Sequence, residues 1–349
     1  MNGRRTAWIV LAALLIGSAP AAASAANAFD RSTIGRLAAL KSGESYSVDG
    51  FPAGPTRRAT IRFEKVPIYS SDARIYVEGS QGRIEVGRSD RIFLRGYSDD
   101  GRARVAIALN RDGSFAAGSG TGAEGTFALH ARSGKDRNLL TAQALDTLLP
   151  AGVKFDFQCA NDREPMDVHT LAIKPAAASI QSPTATSHDL RFATITIDTD
   201  SKFMSSLFSN NTTSATNWIA GMFNTMNLMY ERDLLVRLLL GTTILRTNVA
   251  TDPYAAFTPG ASTAELDVFA NYWKTNEAGV SRAFAALLSG AIPSDANGCS
   301  SSGLAWVNQY CQKGFAQNTD TVGSYSVDQV CTSIAIDPDG SFDALLLGH

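Results

Sequence analysis

From Arg57 to Ala131 apolar and polar residues alternate in short runs: Ala59-Thr-Ile-Arg-Phe-Glu-Lys-Val66, Ala73-Arg-Ile-Tyr-Val77, Arg91-Ile-Phe-Leu-Arg95 and Arg104-Val-Ala-Ile-Ala-Leu109. Successive side chains on a strand point to opposite faces, so this alternation predicts strands with one buried face. Turn signals at Glu78-Gly79, Asp99-Asp-Gly101 and Asp112-Gly113 separate the runs and predict an antiparallel β-rich domain. Gly118-Ser-Gly-Thr-Gly122 opens no helix, so it reads as a flexible hairpin turn and not as a phosphate cradle.

The pattern changes after a stretch rich in Pro, Ala, Ser and Thr, Lys174-Pro-Ala-Ala-Ala-Ser-Ile-Gln-Ser-Pro-Thr-Ala-Thr-Ser187, which has neither periodicity and reads as an exposed linker. Beyond it, Arg191-Phe-Ala-Thr-Ile-Thr-Ile-Asp198 has the β-branched content of a buried strand. Ser214 to Tyr230 places Trp218, Ile219, Met222, Phe223, Met226, Met229 and Tyr230 at helical spacing. Leu234 to Leu245 suits a strand covered on both faces. Ser262-Thr-Ala-Glu265 is a capping box that opens a second helix with Leu266, Phe269, Ala270 and Trp273 on one face. Ala283-Phe-Ala-Ala-Leu-Leu288 and Gly303 to Cys311 read as the third and fourth strands. Alternating strands and helices of this kind predict an α/β sandwich, a mixed sheet with helices.

The first residues read as an export signal: Arg4 and Arg5, an apolar run from Ala7 to Ile16, and the small-residue cleavage site Ala23-Ser24-Ala25. The apolar run is shorter than the ~20 residues a spanning helix needs. A secreted or periplasmic protein that is soluble once the signal is removed is expected. The sequence thus divides into a signal peptide (1–25), a β-rich domain (26–173), a linker (174–188) and an α/β domain (189–349).

A formal net charge of -2 gives no electrostatic footprint for nucleic acid. The four cysteines, Cys159, Cys299, Cys311 and Cys331, favour disulfides in an exported chain, with three connectivities open. They form no C-x-x-C pair, which argues against a structural zinc knuckle. His130, His169 and His188 lack metal-ligand spacing, Asp156, Asp162 and Asp167 lack the Gly and Glu of a calcium loop, and Ser289-Gly290 is no nucleophile elbow.

Three segments carry candidate chemistry: Gly303-Leu-Ala-Trp-Val-Asn-Gln-Tyr-Cys311, Gly323-Ser-Tyr-Ser-Val327 and Phe342-Asp-Ala-Leu-Leu-Leu-Gly-His349. Their order resembles the catalytic domain of reprolysin-like (adamalysin-type) zinc metalloendopeptidases of the metzincin clan, with further similarity at Asn224-Thr-Met-Asn-Leu-Met-Tyr-Glu-Arg-Asp-Leu-Leu235 and Leu238-Leu-Leu-Gly-Thr-Thr243. The resemblance covers roughly Asp189 to His349. It implies a metzincin-like upper subdomain preceded by a propeptide-like β domain, zinc as cofactor, and a peptide or protein substrate. It places His349 on the first metal-ligand position of an H-E-x-x-H helix. It places Gly303, Leu304, Ala305, Trp306 and Val307 on an edge strand that pairs with extended substrate backbone. It also implies that Cys311 pairs with a cysteine beyond the zinc helix, so that here it is expected to stay free or to form intermolecular dimers.

A catalytic zinc needs three protein ligands and an open position, with the Glu of H-E-x-x-H as general base. The 349 residues contain the first His of that motif and no Glu, second or third ligand after it. As written, the chain is expected neither to bind zinc stably nor to hydrolyse peptides, and the non-catalytic alternative is a secreted peptide-binding protein or the product of an interrupted gene. Without the rest of the zinc helix, the apolar faces of Trp218 to Tyr230 and of Leu234 to Leu240 are expected to be partly uncovered.

Overall fold

The computed structural model of the chain describes residues 29–131, 139–148, 154–159, 189–291, 298–307, 309–330, 340, 343–344 and 347. The export signal, the linker, His169, His188, Asp162, Asp167, Cys331 and His349 lie outside the described residues.

The alternating region folds as expected into an antiparallel sheet. After helix α1 (Arg31–Ala38) come β1 (Ser45–Pro52), β2 (Arg58–Lys65), a hairpin of β3 (Ile75–Gly79) and β4 (Gly82–Val86), then β5 (Ile92–Ser98), β6 (Arg104–Leu109), β7 (Phe115–Gly122), β8 (Gly125–Ala131) and β9 (Leu140–Ala144). Seven of these strands pair in the order β1-β2-β5-β6-β7-β8-β9. The sheet curls far enough for β1 and β9 to meet. Its inner face buries Val48, Phe51, Ile61, Phe63, Leu94, Val105, Ile107, Phe127 and Leu129 against Ile34 and Leu37 of α1.

The glycine run Gly118 to Gly122 lies inside β7 and is not a turn, which corrects the sequence reading. Opposite it, the Phe127 ring fills the space a side chain would take: a Cβ on Gly120 would overlap that ring and lie 2.8 Å from the Arg104 carbonyl oxygen. The turn comes one step later, at Gly125 with φ of 94°.

The second sheet contains β10 (Lys154–Cys159), β11 (Arg191–Thr199), β12 (Val236–Arg246), β13 (Phe284–Ser289), β14 (Gly298–Ala305) and β17 (Tyr325–Gln329), with a small hairpin of β15 (Phe315–Gln317) and β16 (Asp320–Val322) beside it. Strands β11, β12 and β13 are parallel, as expected for strands joined by helical crossovers. Helix α2 (Thr212–Asp233) follows β11 and helix α3 (Thr263–Asn276) follows β12. Helix α3 starts at the expected cap, where Ser262 accepts from the Glu265 amide at 3.3 Å, and α2 starts at a cap the sequence reading did not name, Asn211, which accepts from the Ser214 amide at 2.9 Å. Helix α2 ends where Leu235 turns into the left-handed region at φ of 53°. The whole is a mixed α/β structure, rich in antiparallel sheet and with few helices.

One element crosses between the sheets. The hairpin β3–β4, read from the sequence as part of the antiparallel domain, leaves it between β2 and β5 and extends the second sheet, whose order is β10-β14-β17-β13-β11-β12-β3-β4. Residues Thr243 to Arg246 of β12 pair in parallel with Ile75 to Glu78.

Helix α2 is covered on both sides, by the second sheet and by β5, β6 and β7 of the first. Trp218, Ile219, Met222, Phe223 and Met226 are at most 1% exposed, so this part of the stripe is covered, contrary to expectation, whereas Met229 and Tyr230 are half-buried and Leu234 and Leu235 exposed. Phe203 and Phe208 meet Trp218 edge to face, and Gly340 sits against Trp218 and Met222. Polar contacts also bind α2 to the first sheet. The Asn224 amide donates to the Ile107 carbonyl at 3.2 Å and its Oδ1 accepts from Arg95 at 3.1 Å, while the Ser119 and Thr225 hydroxyls meet at 2.8 Å. Glu231 lies between two buried guanidiniums, 2.6 Å from Arg95 and 2.5 Å from Arg237. Burial pushes Arg95 below the ordinary guanidinium range, and Glu231 opposes the shift.

Two predictions follow from this packing. Replacing Gly120→Val forces a branched side chain into the Phe127 ring and should cost about 1–3 kcal/mol in urea unfolding. Glu231→Gln leaves two buried cations without their counter-charge and should cost about 3–5 kcal/mol, read from the same midpoint shift.

Candidate functional site

The segment that the resemblance singles out is divided by the structure. Gly303, Leu304 and Ala305 close β14, whereas Trp306 and Val307 come after its end. The strand begins at Gly298 and does not reach Cys311, contrary to the sequence reading, because its pairing with β17 stops at Ala305 opposite Ser326. Trp306 then turns into the α3-side core with Leu304, Phe269, Trp273 and Tyr325. It is a core aromatic. Cys311 lies in a turn at φ of 59°, its amide donating to the Ala283 carbonyl at 3.0 Å. It is exposed and unbridged, and the side chains of the other three cysteines lie outside the description.

Nor is β14 an open edge along its whole length. One side pairs antiparallel with β17, Gly303 opposite Asp328 and Leu304 opposite Val327. The other side pairs in parallel with β10, from Lys154 opposite Gly298 to Cys159 opposite Gly303. An extended segment from the N-terminal part of the chain therefore already lies on the strand expected to receive extended substrate.

On the α2 side of this strand pair sits a buried carboxyl that the sequence did not suggest. Asp328 is 4% exposed and is held by the Ser326 hydroxyl, which donates to Oδ2 at 2.7 Å. Burial pushes its pKa up to about 7, against the pull of that hydroxyl. Tyr230 of α2 is raised as well, first by burial and then by the charges of Tyr310 and Asp328. Tyr310 itself is 76% exposed. A buried carboxyl poised near neutrality is the kind of perturbed group that clusters at functional sites. In the sequence Asp328 falls on a polar position of the alternating run Tyr325-Ser-Val-Asp-Gln329, which by itself suggests an exposed side chain.

Two other buried acidic clusters are satisfied internally. Asp198 binds Arg246 at 2.9 and 2.8 Å and accepts from Tyr254 Oη at 2.9 Å and Trp273 Nε1 at 3.0 Å. Burial works against the Arg246 charge, yet Asp198 alongside raises its pKa above the ordinary guanidinium range. Asp200 accepts from the Ser289 hydroxyl and from the amides of Gly290 at 3.0 Å and Phe203 at 2.6 Å. With their lone pairs spent on protein donors, both hold the ends of β11, β12 and β13 in place and have no free coordination to offer.

Among the described residues no group of three or more His, Cys, Asp and Glu side chains is placed to hold a metal ion. They do not supply the donor set that zinc requires. Among them, too, no helix is long and apolar enough to cross a membrane.

Comparison with known proteins adds little. No protein-family model and no curated protein sequence matches the chain. A metalloproteinase is among its distant structural neighbours: the crystal structure of metalloproteinase-II from Bacteroides fragilis shares 10% identity over 93% of this chain and 84% of that one, with a TM-score of 0.40. A chaperone–substrate complex shares 16% identity over 46% of this chain and 24% of that one, with a TM-score of 0.26. Overlap this loose assigns neither fold nor activity.

The Asp328 shift has a definite sign. The folded state holds the proton more tightly than the unfolded one, whose carboxyl titrates near its ordinary value of 3.8, so this group makes stability fall as pH rises from about 4 to about 7. Asp328→Asn should flatten that fall and stabilise the protein at pH 8 by on the order of 1–3 kcal/mol. Urea unfolding of both proteins at pH 5 and pH 8 checks it; an unchanged pH dependence would remove Asp328 as its source.

Proposed function

We propose that these 349 residues are the N-terminal β-rich, propeptide-like region and the upper subdomain of an exported zinc metalloendopeptidase of the reprolysin-like group. The observation that carries this reading is β14. In a sheet whose strands β17, β13, β11, β12 and β3 are parallel, it alone of β17's neighbours runs antiparallel, and it contains the Gly303 to Ala305 positions matched to the family's substrate strand. Further support comes from chain order: strand, α2, strand, α3, strand, β14, β17, then a turn in which the Ala344 amide bonds to the Gly340 carbonyl at 2.7 Å and Leu347 packs on the α2-side core. That turn leads into the segment ending at His349.

Hydrolysis in this group takes three zinc ligands and a general base. These residues contribute the His349 ligand position and, by themselves, neither hold zinc stoichiometrically nor cleave peptides. Export rests on the Arg4 to Ala25 signal. A second reading, a secreted peptide-binding protein without catalysis, is favoured by the β10–β14 pairing, since β10 is an extended backbone laid along that strand.

The coding sequence downstream of His349, translated in all three frames, separates the two. A Glu-x-x-His continuation is expected under the peptidase reading, and its absence from every frame would leave the binding protein. For the 349-residue chain itself, incubation with casein and zinc should yield no cleavage, and zinc should not co-purify at one equivalent. Proteolysis by homogeneous protein that a chelator abolishes would overturn the reading.

A further inference from the structure

We infer that the N-terminal region, residues 29–159, is a permanent part of this fold and stays bound, with β10 on β14, after the chain is cut between Lys174 and Ser187. The pairing of β10 enters the proposed function; the association itself is argued from contacts alone.

Three separate contact sets join the two parts. First, β3 completes the β12 edge. Beyond the strand ladder, the Leu240 amide donates to the Ile68 carbonyl at 2.7 Å, the Ser70 amide to the Leu240 carbonyl at 2.8 Å, and the Thr247 amide to the Glu78 carbonyl at 2.9 Å. Arg83 of β4 reaches across to Glu277 at the end of α3. Second, α2 has its far face in the first sheet, where Asn224 and Thr225 are bonded and where Arg95 meets Glu231. Third, β10 lies along β14.

Separation would therefore open two strand edges, bare the apolar face of α2 to water and strip Arg95 and Glu231 of each other at once. An unpaired central edge and an exposed helix face of this size favour reassociation or aggregation over a free fragment. Val66, Ile68, Ile75, Val77 and Phe93 share one continuous core with α2, so no cleavage plane follows the predicted linker. The partner that this surface fits is the chain's own N-terminal region. Cutting the linker alone is then not a release step, and the β14 edge remains occupied.

The test is to place a site-specific protease sequence between Lys174 and Ser187, fold the whole chain, cut it to completion and apply it to a size-exclusion column under native conditions. Both fragments should elute together at the position of the uncut protein. Elution as two separate species overturns the proposal. Amide hydrogen exchange supplies a second readout: protection of Thr243 to Arg246 should be unchanged by cutting, whereas a loss of tenfold or more would show β3 leaving β12. Neither measurement depends on zinc or peptidase activity, so failure here leaves the proposed function standing, and failure of that reading leaves this association intact.

Discussion

From Trp218 to Leu228 helix α2 has no face left for water, and most of the structure is arranged around that fact. A helix that buries Trp218, Met222 and Phe223 on one side and Asn224 and Thr225 on another needs a packing layer on each. The second sheet supplies one layer and strands β5, β6 and β7 supply the other. The polar residues on the second side can be buried because each finds a partner there: Asn224 in Arg95 and the Ile107 carbonyl, Thr225 in Ser119, Glu231 in Arg95 and Tyr97. These bonds add less in net stability than the apolar area does, but leaving any of them unmade is costly, so they fix how the sheet sits on the helix.

The same logic explains the small residues of β7. With Gly118 and Gly120 yielding space to Ile107, Leu129 and Phe127 on the inner face, the curled sheet closes over its own core, while Ser119 faces outward to α2. Compact packing on one face and a hydrogen bond on the other leave little room for larger side chains. The glycine run is thus a packing device, and the turn it was taken for lies at Gly125.

The candidate site draws on both parts. Strand β14 takes its orientation from β17 and has β10 on its other side, so the strand and the segment that covers it come from the two sides of the predicted linker. Asp328 lies beneath that pair, buried, with a single hydroxyl for support. The buried carboxyls Asp198 and Asp200 show the contrast: each is surrounded by donors and serves to hold strand ends together. What distinguishes Asp328 is the number of donors around it.

Periodicity by itself determined the antiparallel run, α2, α3 and the strands β11, β12 and β13, because a period of two or of 3.6 is a local property of the chain. The caps at Asn211 and Ser262 are equally local. The sequence also offered the order of segments on which the peptidase resemblance rests. It misplaced β14, since Cys299-Ser-Ser-Ser-Gly303 has no apolar alternation and becomes a strand only because β17 and β10 supply partners. It put β3 in the wrong sheet for a related reason: alternation states that a strand has a buried face, not which strand will be its neighbour. The burial of α2 on both sides, the filled β14 edge and the raised Asp328 pKa were decided by tertiary structure alone, because each depends on groups far apart in sequence arriving in one place.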